Sequence, residues 1–545
     1  MGAVRRTRAN RTAYRRRCWH PRRRPPDLFE RSAGLVHVPI LCPPESAMSR
    51  KSLLVLGQRR PFFHRAGRLA AMCIALACAA PALAGGARTP LVFSPYAMET
   101  KGNGTIAAEE AFLEVPRRHS EPDGPRIRLR VVRLPATGGN GRIAPVVYLA
   151  GGPGGSGFGT ALGPRWPVFD RIRRETDVLL LDQRGTDFSE MPPECSQAHR
   201  FDDAQPLQRD TALVALRATA LGCIAEWRKS GVDLAAYTTA ESADDIEDLR
   251  RAMGLKRVSL WGMSYGTHLA LATVRRHGTS LERVVLMGSE GPDDTIKLPL
   301  AADRLLADLA VVARKDGFDD LQGSARRVLE VLRRQPGQGA SPMHDGRKVV
   351  IGEYDAKLAI AIALGRRASQ RMLPLMLREA ESGDYSLLAG FVLMVREELG
   401  RFRAMPLAMD VASGQSPQRR ALVEAQARES LFGDALNFPF PELADGLGLV
   451  DLGDAFRAPL RSEVPVLFVS GTLDGRTPQA NAQALLPGFS QGKQLLVRGA
   501  SHDNELWLGN PRIAENLADF LAGRPVADES VDVPLPVFVT DKSEL

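Results

Sequence analysis

A serine, an aspartate and a histidine in this chain of 545 residues each stand at a turn where a side chain can do chemistry. Ser264 is the centre of Gly262-Met263-Ser264-Tyr265-Gly266. A strand-like run, Arg257 to Trp261, precedes it, and a helix-like run, Tyr265 to Arg276, follows. A serine on so sharp a strand-to-helix turn projects its Oγ from the sheet as an exposed nucleophile. The two glycines leave room where the strand and helix backbones approach each other. A serine hydroxyl is a poor nucleophile at neutral pH. It needs a base to take its proton and an acid to hold that base in one tautomer. His502 follows the strand-like run Gln494 to Val497, and Asp474 sits in a glycine-rich turn after the run Val464 to Val469. The chemistry these types support is acyl transfer: His502 deprotonates Ser264, Ser264 attacks a carbonyl carbon, and Asp474 orients the imidazole.

Other residues compete for these roles. His268 lies four positions after Ser264, on the helix running away from the turn, and reads as structural. Asp503 adjoins His502, and neighbours in sequence seldom point so as to orient each other. The oxyanion of such a reaction needs backbone N–H donors. Tyr265 offers one. A second comes from Ala150-Gly151-Gly152-Pro153-Gly154-Gly155-Ser156-Gly157, with Gly152 the expected donor. That run is not a phosphate loop, because no Gly-Lys-Ser/Thr follows it. Asp182, Gln183, Arg184 and Gly185 form a charged cluster at another strand end, where Asp182 and Arg184 read as braces for neighbouring loops.

A sheet has to carry these groups. Val146 to Leu149, Asp177 to Leu181 and Val284 to Met287 are continuous apolar runs, as in strands buried on both faces. Phe112 to Val115 and Arg126 to Val131 read as strands joined through the turn Pro122-Asp123-Gly124. The second alternates Arg with apolar residues, the period of a half-buried antiparallel strand. Ser242 reads as the cap of a helix that buries Ile246, Leu249 and Met253 and stops at Gly254. Helical runs dominate from about 293 to 455, among them Leu300 to Lys315, Ser324 to Arg334 and Tyr354 to Arg367. A stretch that long is no loop. The last helix has Asn510 as cap, Pro511 at its first position and Gly523 past its end. Strands alternating with helices imply an α/β fold with a mainly parallel sheet.

The net charge of +9 belongs to one end of the chain. Residues 1–84 hold 17 basic and 3 acidic residues, which leaves 55 basic and 60 acidic for the remainder, a net of −5. A nucleic-acid partner is therefore not implied for the folded body. Residues 1–47 are rich in Arg and Pro without hydrophobic period and read as disordered, upstream of a start at Met48. From Met48 a secretory signal follows: a basic region, the apolar run Leu69 to Ala80, and Ala82-Leu83-Ala84 as cleavage site. The expectation is an exported protein, periplasmic or secreted, with no stable membrane span once the signal is cut. Beyond it remain Cys195 and Cys223, which an oxidising compartment would allow to pair; two separate buried thiols are the alternative. No metal-ligand spacing occurs, and no metal or cofactor is implied.

Taken together, Gly151-Gly152-Pro153-Gly154-Gly155, Asp182-Gln183-Arg184-Gly185, Gly262-Met263-Ser264-Tyr265-Gly266, Gly471-Thr472-Leu473-Asp474 and Ser501-His502-Asp503 resemble the proline iminopeptidase and tripeptidyl aminopeptidase family of serine α/β-hydrolases. Ala150 stands where proline iminopeptidases usually carry His, which is closer to the exported tripeptidyl-aminopeptidase-like branch. The resemblance implies an α/β-hydrolase fold, with flanking helices and an inserted helical cap. The resulting division is 1–47 basic extension, 48–84 signal peptide, 85–292 first part of the core, 293–455 cap, 456–525 second part of the core and 526–545 C-terminal tail. It also implies a peptide substrate with a free N-terminus. Carboxylates near the cap would bind its ammonium; Glu290 is the expected one, with Asp293 and Asp294 beside it. A carboxylesterase acting on small esters would use the same machinery, and a non-catalytic binding protein would use the same scaffold.

Overall fold

The computed structural model describes residues 90–138 and 141–544. The extension and signal segment expected over 1–84 lie outside the described residues. A ten-stranded sheet runs through the protein in the order β1-β2-β3-β5-β4-β6-β7-β10-β11-β12. Its members are β1 (Ser94–Thr100), β2 (Gly104–Pro116), β3 (Arg126–Leu134), β4 (Val146–Leu149), β5 (Val178–Leu181), β6 (Val258–Met263), β7 (Leu281–Met287), β10 (Val466–Gly471), β11 (Gly492–Arg498) and β12 (Ser530–Asp532). β1, β2, β3 and β5 pair antiparallel; from β5 through β12 every pairing is parallel.

The parallel strands are apolar on both faces because both faces are covered. Val147, Leu149, Leu260 and Leu286 pack into one layer with the helices Thr239–Ala252 and Tyr265–His277. Val146, Tyr148, Trp261 and Val285 pack into the other with Trp166–Arg173 and Pro511–Leu521. At about 1.5–3 kcal/mol for each large apolar side chain taken from water, these layers hold the sheet rigid. The antiparallel margin obeys the expected alternation only in part. Arg126 and Arg128 are exposed, but Arg130 is buried. Its guanidinium lies 4.0 Å from the Phe158 ring and 4.4 Å from the Phe188 ring, and it donates to Glu110.

Residues 300–399 add five helices, each of 11 to 15 residues, and a hairpin of β8 (Gly337–Ser341) and β9 (Arg347–Ile351), which the sequence pattern did not suggest. They surround an apolar core of their own, including Leu309, Leu329, Ile360 and Phe391. The following helix Ala404–Ser413 is different. Its Met405, Leu407, Ala408 and Met409 pack into the core of the main sheet, so it roofs the carboxyl ends of the central strands.

Two local expectations are corrected. The helix read as capped by Ser242 begins at Thr239, with Thr238 as its cap: the Thr238 hydroxyl accepts from Glu241 N–H. Ser242 falls inside the helix, because an earlier side chain already satisfies the free N–H. Residues 526–545, read as a tail, supply edge strand β12, and Phe538 and Val539 join the apolar core of the 300–399 helices.

Candidate active site

Asp182, the glycine run, Ser264, Glu290, Asp474 and His502 follow β5, β4, β6, β7, β10 and β11, which are consecutive neighbours in the sheet. Parallel strands end at the same edge. Residues more than 300 positions apart are therefore brought to one rim, the carboxyl edge, where sheets of this kind keep their sites.

Ser264 has φ 56° and ψ −126°, a conformation rare for a residue with a side chain. The surroundings hold it there. Its N–H donates to Met287 O at 3.0 Å, and its carbonyl accepts from Thr267 Oγ1 at 2.6 Å. The flanking glycines are obligatory for the turn. A Cβ on Gly262 would lie 2.4 Å from Gly266 O, and one on Gly266 would lie 2.0 Å from Leu149 O.

Asp474 is buried and saturated with donors. Its Oδ1 accepts from the N–H groups of Arg476 at 2.8 Å and Thr477 at 2.7 Å. Its Oδ2 accepts from Thr477 Oγ1 and pairs with His502 Nδ1, both at 2.8 Å. Burial pushes this carboxyl up, but the imidazole and the Thr477 donors outweigh burial and leave it below the usual carboxylate range. Thr477 Oγ1 also lies 3.0 Å from His502 Nδ1. The histidine turn is anchored by Trp507, buried with its ring centroid 5.1 Å from that of Trp261. With Nδ1 turned to Asp474, Nε2 is the nitrogen available to a substrate or nucleophile. The ring abuts Gly288, where a Cβ would lie 3.0 Å from His502 Cε1, and Gly288 directly follows the Met287 whose carbonyl holds Ser264. Among the described residues the Ser264 hydroxyl forms no hydrogen bond to His502. Such contacts are commonly loose without substrate and tighten in the complex.

The rivals are engaged elsewhere. His268 is buried, with Nδ1 2.9 Å from Gly291 O and Nε2 3.1 Å from Ser413 Oγ, and burial lowers its pKa. Asp503 faces Arg165 at 3.8 Å.

The glycine run passes over Ser264. A Cβ on Gly151 would lie 2.8 Å from both Met263 O and Ser264 Cβ, so Gly151 is the residue pressed against the turn. Gly152, the expected donor, comes next, with φ 125°. The Asp182 cluster clamps this loop from below. Gln183 Nε2 donates to Ala150 O at 3.0 Å, before the glycines; Asp182 Oδ1 accepts from Ser156 Oγ at 2.7 Å, after them. Burial raises the Asp182 carboxyl to about 6. Arg184 is fully buried, binds Asp245 through two nitrogens and donates to the carbonyls of Arg117 and Ala236.

The expected ammonium binders are largely occupied. Glu290 is buried and paired with Lys297, which, together with His268, outweighs burial and keeps the carboxyl low. Asp293 accepts from Ser416 N–H and Oγ, and Asp294 pairs with Arg419. Asp410, which sequence reasoning passed over, is unengaged: among the described residues its carboxyl has no hydrogen-bond partner. It sits on the roofing helix Ala404–Ser413, next to Met409, whose Sδ accepts from Tyr265 Oη at 2.7 Å. Burial, then the nearby Glu290 charge, raises it to about 7. No periodic or motif signal marks it, because its importance comes from how the helix docks.

Cys195 and Cys223 are joined in a disulfide. Among the described residues no group of three or more His, Cys, Asp or Glu side chains is placed to hold a metal, and no helix is long and apolar enough to cross a membrane.

Comparison with known proteins agrees with this architecture. The tripeptidyl aminopeptidase of Streptomyces coelicolor is 32% identical over 168 residues, 29% of this chain and 30% of that protein. The serine protease Hip1 of Mycobacterium tuberculosis is 28% identical over 194 residues, 33% of this chain and 36% of that protein. The matched part thus spans about a third of these relatives. The solved proline iminopeptidase of Mycobacterium smegmatis is 15% identical, with a TM-score of 0.35 over 76% of this chain and 98% of that one. The family profile described as alpha/beta hydrolase fold matches residues 144–507, from the glycine run through the histidine turn, and the chain belongs to that family.

Proposed function

We propose that this protein is an exported serine aminopeptidase that cleaves peptides near a free N-terminus through an acyl-enzyme. The observation that carries the reading is the pair of buried Asp474 and half-buried His502, 2.8 Å apart, on the sheet rim that also holds Ser264 in its strained turn. In this reading His502 Nε2 takes the Ser264 proton as Oγ bonds to the substrate carbonyl carbon. Asp474 stabilises the imidazolium that results. N–H groups of Tyr265 and Gly152 receive the oxyanion. Collapse breaks the C–N bond, and the departing amine takes the proton from His502. Water, deprotonated by the same imidazole, then releases the acyl group and restores Ser264.

Asp410 favours a peptide over a neutral ester. The Asp410 carboxyl lies near Glu290 and Tyr265 without a hydrogen-bond partner of its own among the described residues, which leaves it open to a cation. An N-terminal ammonium would supply the missing partner, with the Lys297-bound Glu290 close behind it. Export is supported by the Cys195–Cys223 disulfide, a bond that persists in oxidising compartments. The test is mass spectrometry of products from a mixed peptide library, with Ser264→Ala as control and fluorophosphonate labelling of Ser264 alongside. Labelling without peptide cleavage, together with turnover of short acyl esters, would replace the peptidase reading by an esterase. No labelling at all would leave only a binding scaffold.

A further inference from the structure

The loop that carries Gly152 is held at both ends by the two residues that follow β5. Gln183 fixes its start, donating to Ala150 O at 3.0 Å. Asp182 fixes its end, where Oδ1 accepts from Ser156 Oγ at 2.7 Å and from Phe158 N–H at 3.2 Å. The Ser156 hydroxyl also accepts from Gly159 N–H at 2.8 Å and so caps the helix Gly157–Leu162. Between the anchors, Gly155 N–H donates to Gly151 O at 2.9 Å, and Gly151 is pressed on Ser264. The far end has little room to move: a Cβ on Gly157 would lie 2.5 Å from Leu181 O, one residue before Asp182. A shift at Ser156 is therefore passed back to Gly152. The second oxygen of Asp182 is left over. Among the described residues Oδ2 has no hydrogen-bond partner, and neither has Arg130 Nη1; the two lie 3.9 Å apart. Arg130 gives its Nε to Glu110 on β2, and Asp187, on the turn after β5, is the other charge close to Asp182. Burial raises the Asp182 carboxyl to about 6 against the pull of Ser156, Phe158 and Arg130, so it changes charge within the range in which an imidazole works.

We infer that Asp182 is the positioning residue of the oxyanion loop: ionised, it grips Ser156 and Phe158 firmly enough to aim the Gly152 N–H, and once it takes up a proton that aim is lost. The inference rests on the serine-hydrolase chemistry proposed above. A hydrogen bond to an ionised acceptor is about twice as strong as one between neutral groups, so protonation loosens both contacts together. Oxyanion donors act only when held where the charge will develop. Loosening the loop therefore slows the chemical step and leaves substrate binding largely untouched.

Asp182→Asn tests this, because its amide oxygen can still accept from Ser156 and Phe158 but carries no charge, like the protonated carboxyl. The measurements are kcat and KM on an acyl ester and on a peptide anilide, and the rate of fluorophosphonate labelling, each from pH 5 to pH 8. At pH 8 the variant should lose roughly tenfold in kcat and in labelling rate, less than the ~10²–10³-fold cost of deleting an oxyanion donor, with KM little changed. The native-to-variant ratio should fall towards one as pH drops below about 6, since the native carboxyl is then neutral as well. Titration of His502 is common to both proteins and divides out of that ratio. Ser156→Ala removes one of the two loop contacts and should also slow the reaction at pH 8, while Ser156→Thr, which keeps the hydroxyl, should recover most of the rate. An Asp182→Asn enzyme within twofold of native at pH 8, a ratio that stays constant with pH, or a loss confined to KM would overturn the inference and leave the serine-hydrolase reading intact. A native protein that neither labels nor turns over either substrate would overturn that reading itself. If Asp182→Asn fails to fold, the Ser156→Ala and Ser156→Thr pair decides.

Discussion

Thr477→Val isolates the orienting part of the proposed machinery. Asp474 receives donors from Arg476 N–H, Thr477 N–H, Thr477 Oγ1 and His502 Nδ1, all at 2.7–2.8 Å. Valine deletes only the hydroxyl bond. It keeps both backbone donors, so Asp474 stays where it is. What changes is the Oδ2 shared with the imidazole, and a methyl replaces the hydroxyl that lies 3.0 Å from Nδ1. A hydrogen bond to a charged group is worth about 1.5–3 kcal/mol, which converts to a loss of roughly 10- to 100-fold. The loss should fall on kcat, because the imidazole is misdirected while the substrate-binding wall is unchanged. It should stay well short of the ~10⁴-fold cost of removing the carboxylate in a triad, the expectation for Asp474→Asn. Thr477→Ser retains the hydroxyl and should recover most of the rate. The assay is kcat and KM on a peptide anilide, with the rate of fluorophosphonate labelling as a second readout. A Thr477→Val enzyme within twofold of native, or a Thr477→Ser enzyme as slow as the valine variant, would refute the argument.

Other expectations follow from charge and covalent structure. The Asp410 carboxyl, raised to about 7, binds its proton more tightly folded than unfolded, so its contribution to stability is present in full below the ordinary carboxylate pKa and is lost as pH rises to 7. Asp410→Asn should therefore raise the melting temperature at pH 8 and not at pH 4, while raising KM for free-amine peptides; equal melting shifts at both pH values would contradict this. His119 is 2.5 Å from Glu241 and 3.4 Å from Asp248; burial alone would lower its pKa, but these carboxylates raise it to about 9. That raised value gives stability present in full below about 6.5, worth on the order of 3 kcal/mol, and lost as pH rises through 9. Urea unfolding of His119→Gln should differ from native more at pH 6 than at pH 10. The disulfide closes a loop with a sequence separation of 28 and should contribute ~3–4 kcal/mol. Reductant should lower the native melting temperature but not that of Cys223→Ala.

Much of the fold was legible because its signals are local. Runs such as Val146–Leu149 are apolar throughout, and the structure buries each of these residues in a central strand. Asn510, Pro511 and Gly523 delimit the last helix as read, since capping depends on neighbours in sequence. Where two local signals competed, the reading failed: Ser242 and Thr238 can each cap, and the helix begins after the earlier one, Thr238. The buried Arg130 broke its strand's alternation because the rings of Phe158 and Phe188 cover it from elsewhere in the chain.

By itself the sequence determined which side chains stand at strand ends, since strand, turn and helix patterns are written in consecutive residues. It could not determine what faces what across the rim. Thr477 touching both Asp474 and His502, Lys297 neutralising Glu290, and Asp410 lying near Glu290 without a hydrogen-bond partner among the described residues all arise from elements that meet only in the folded chain. Those contacts depend on the orientation of whole helices, which is set by many weak apolar contacts at once rather than by any short run of residues.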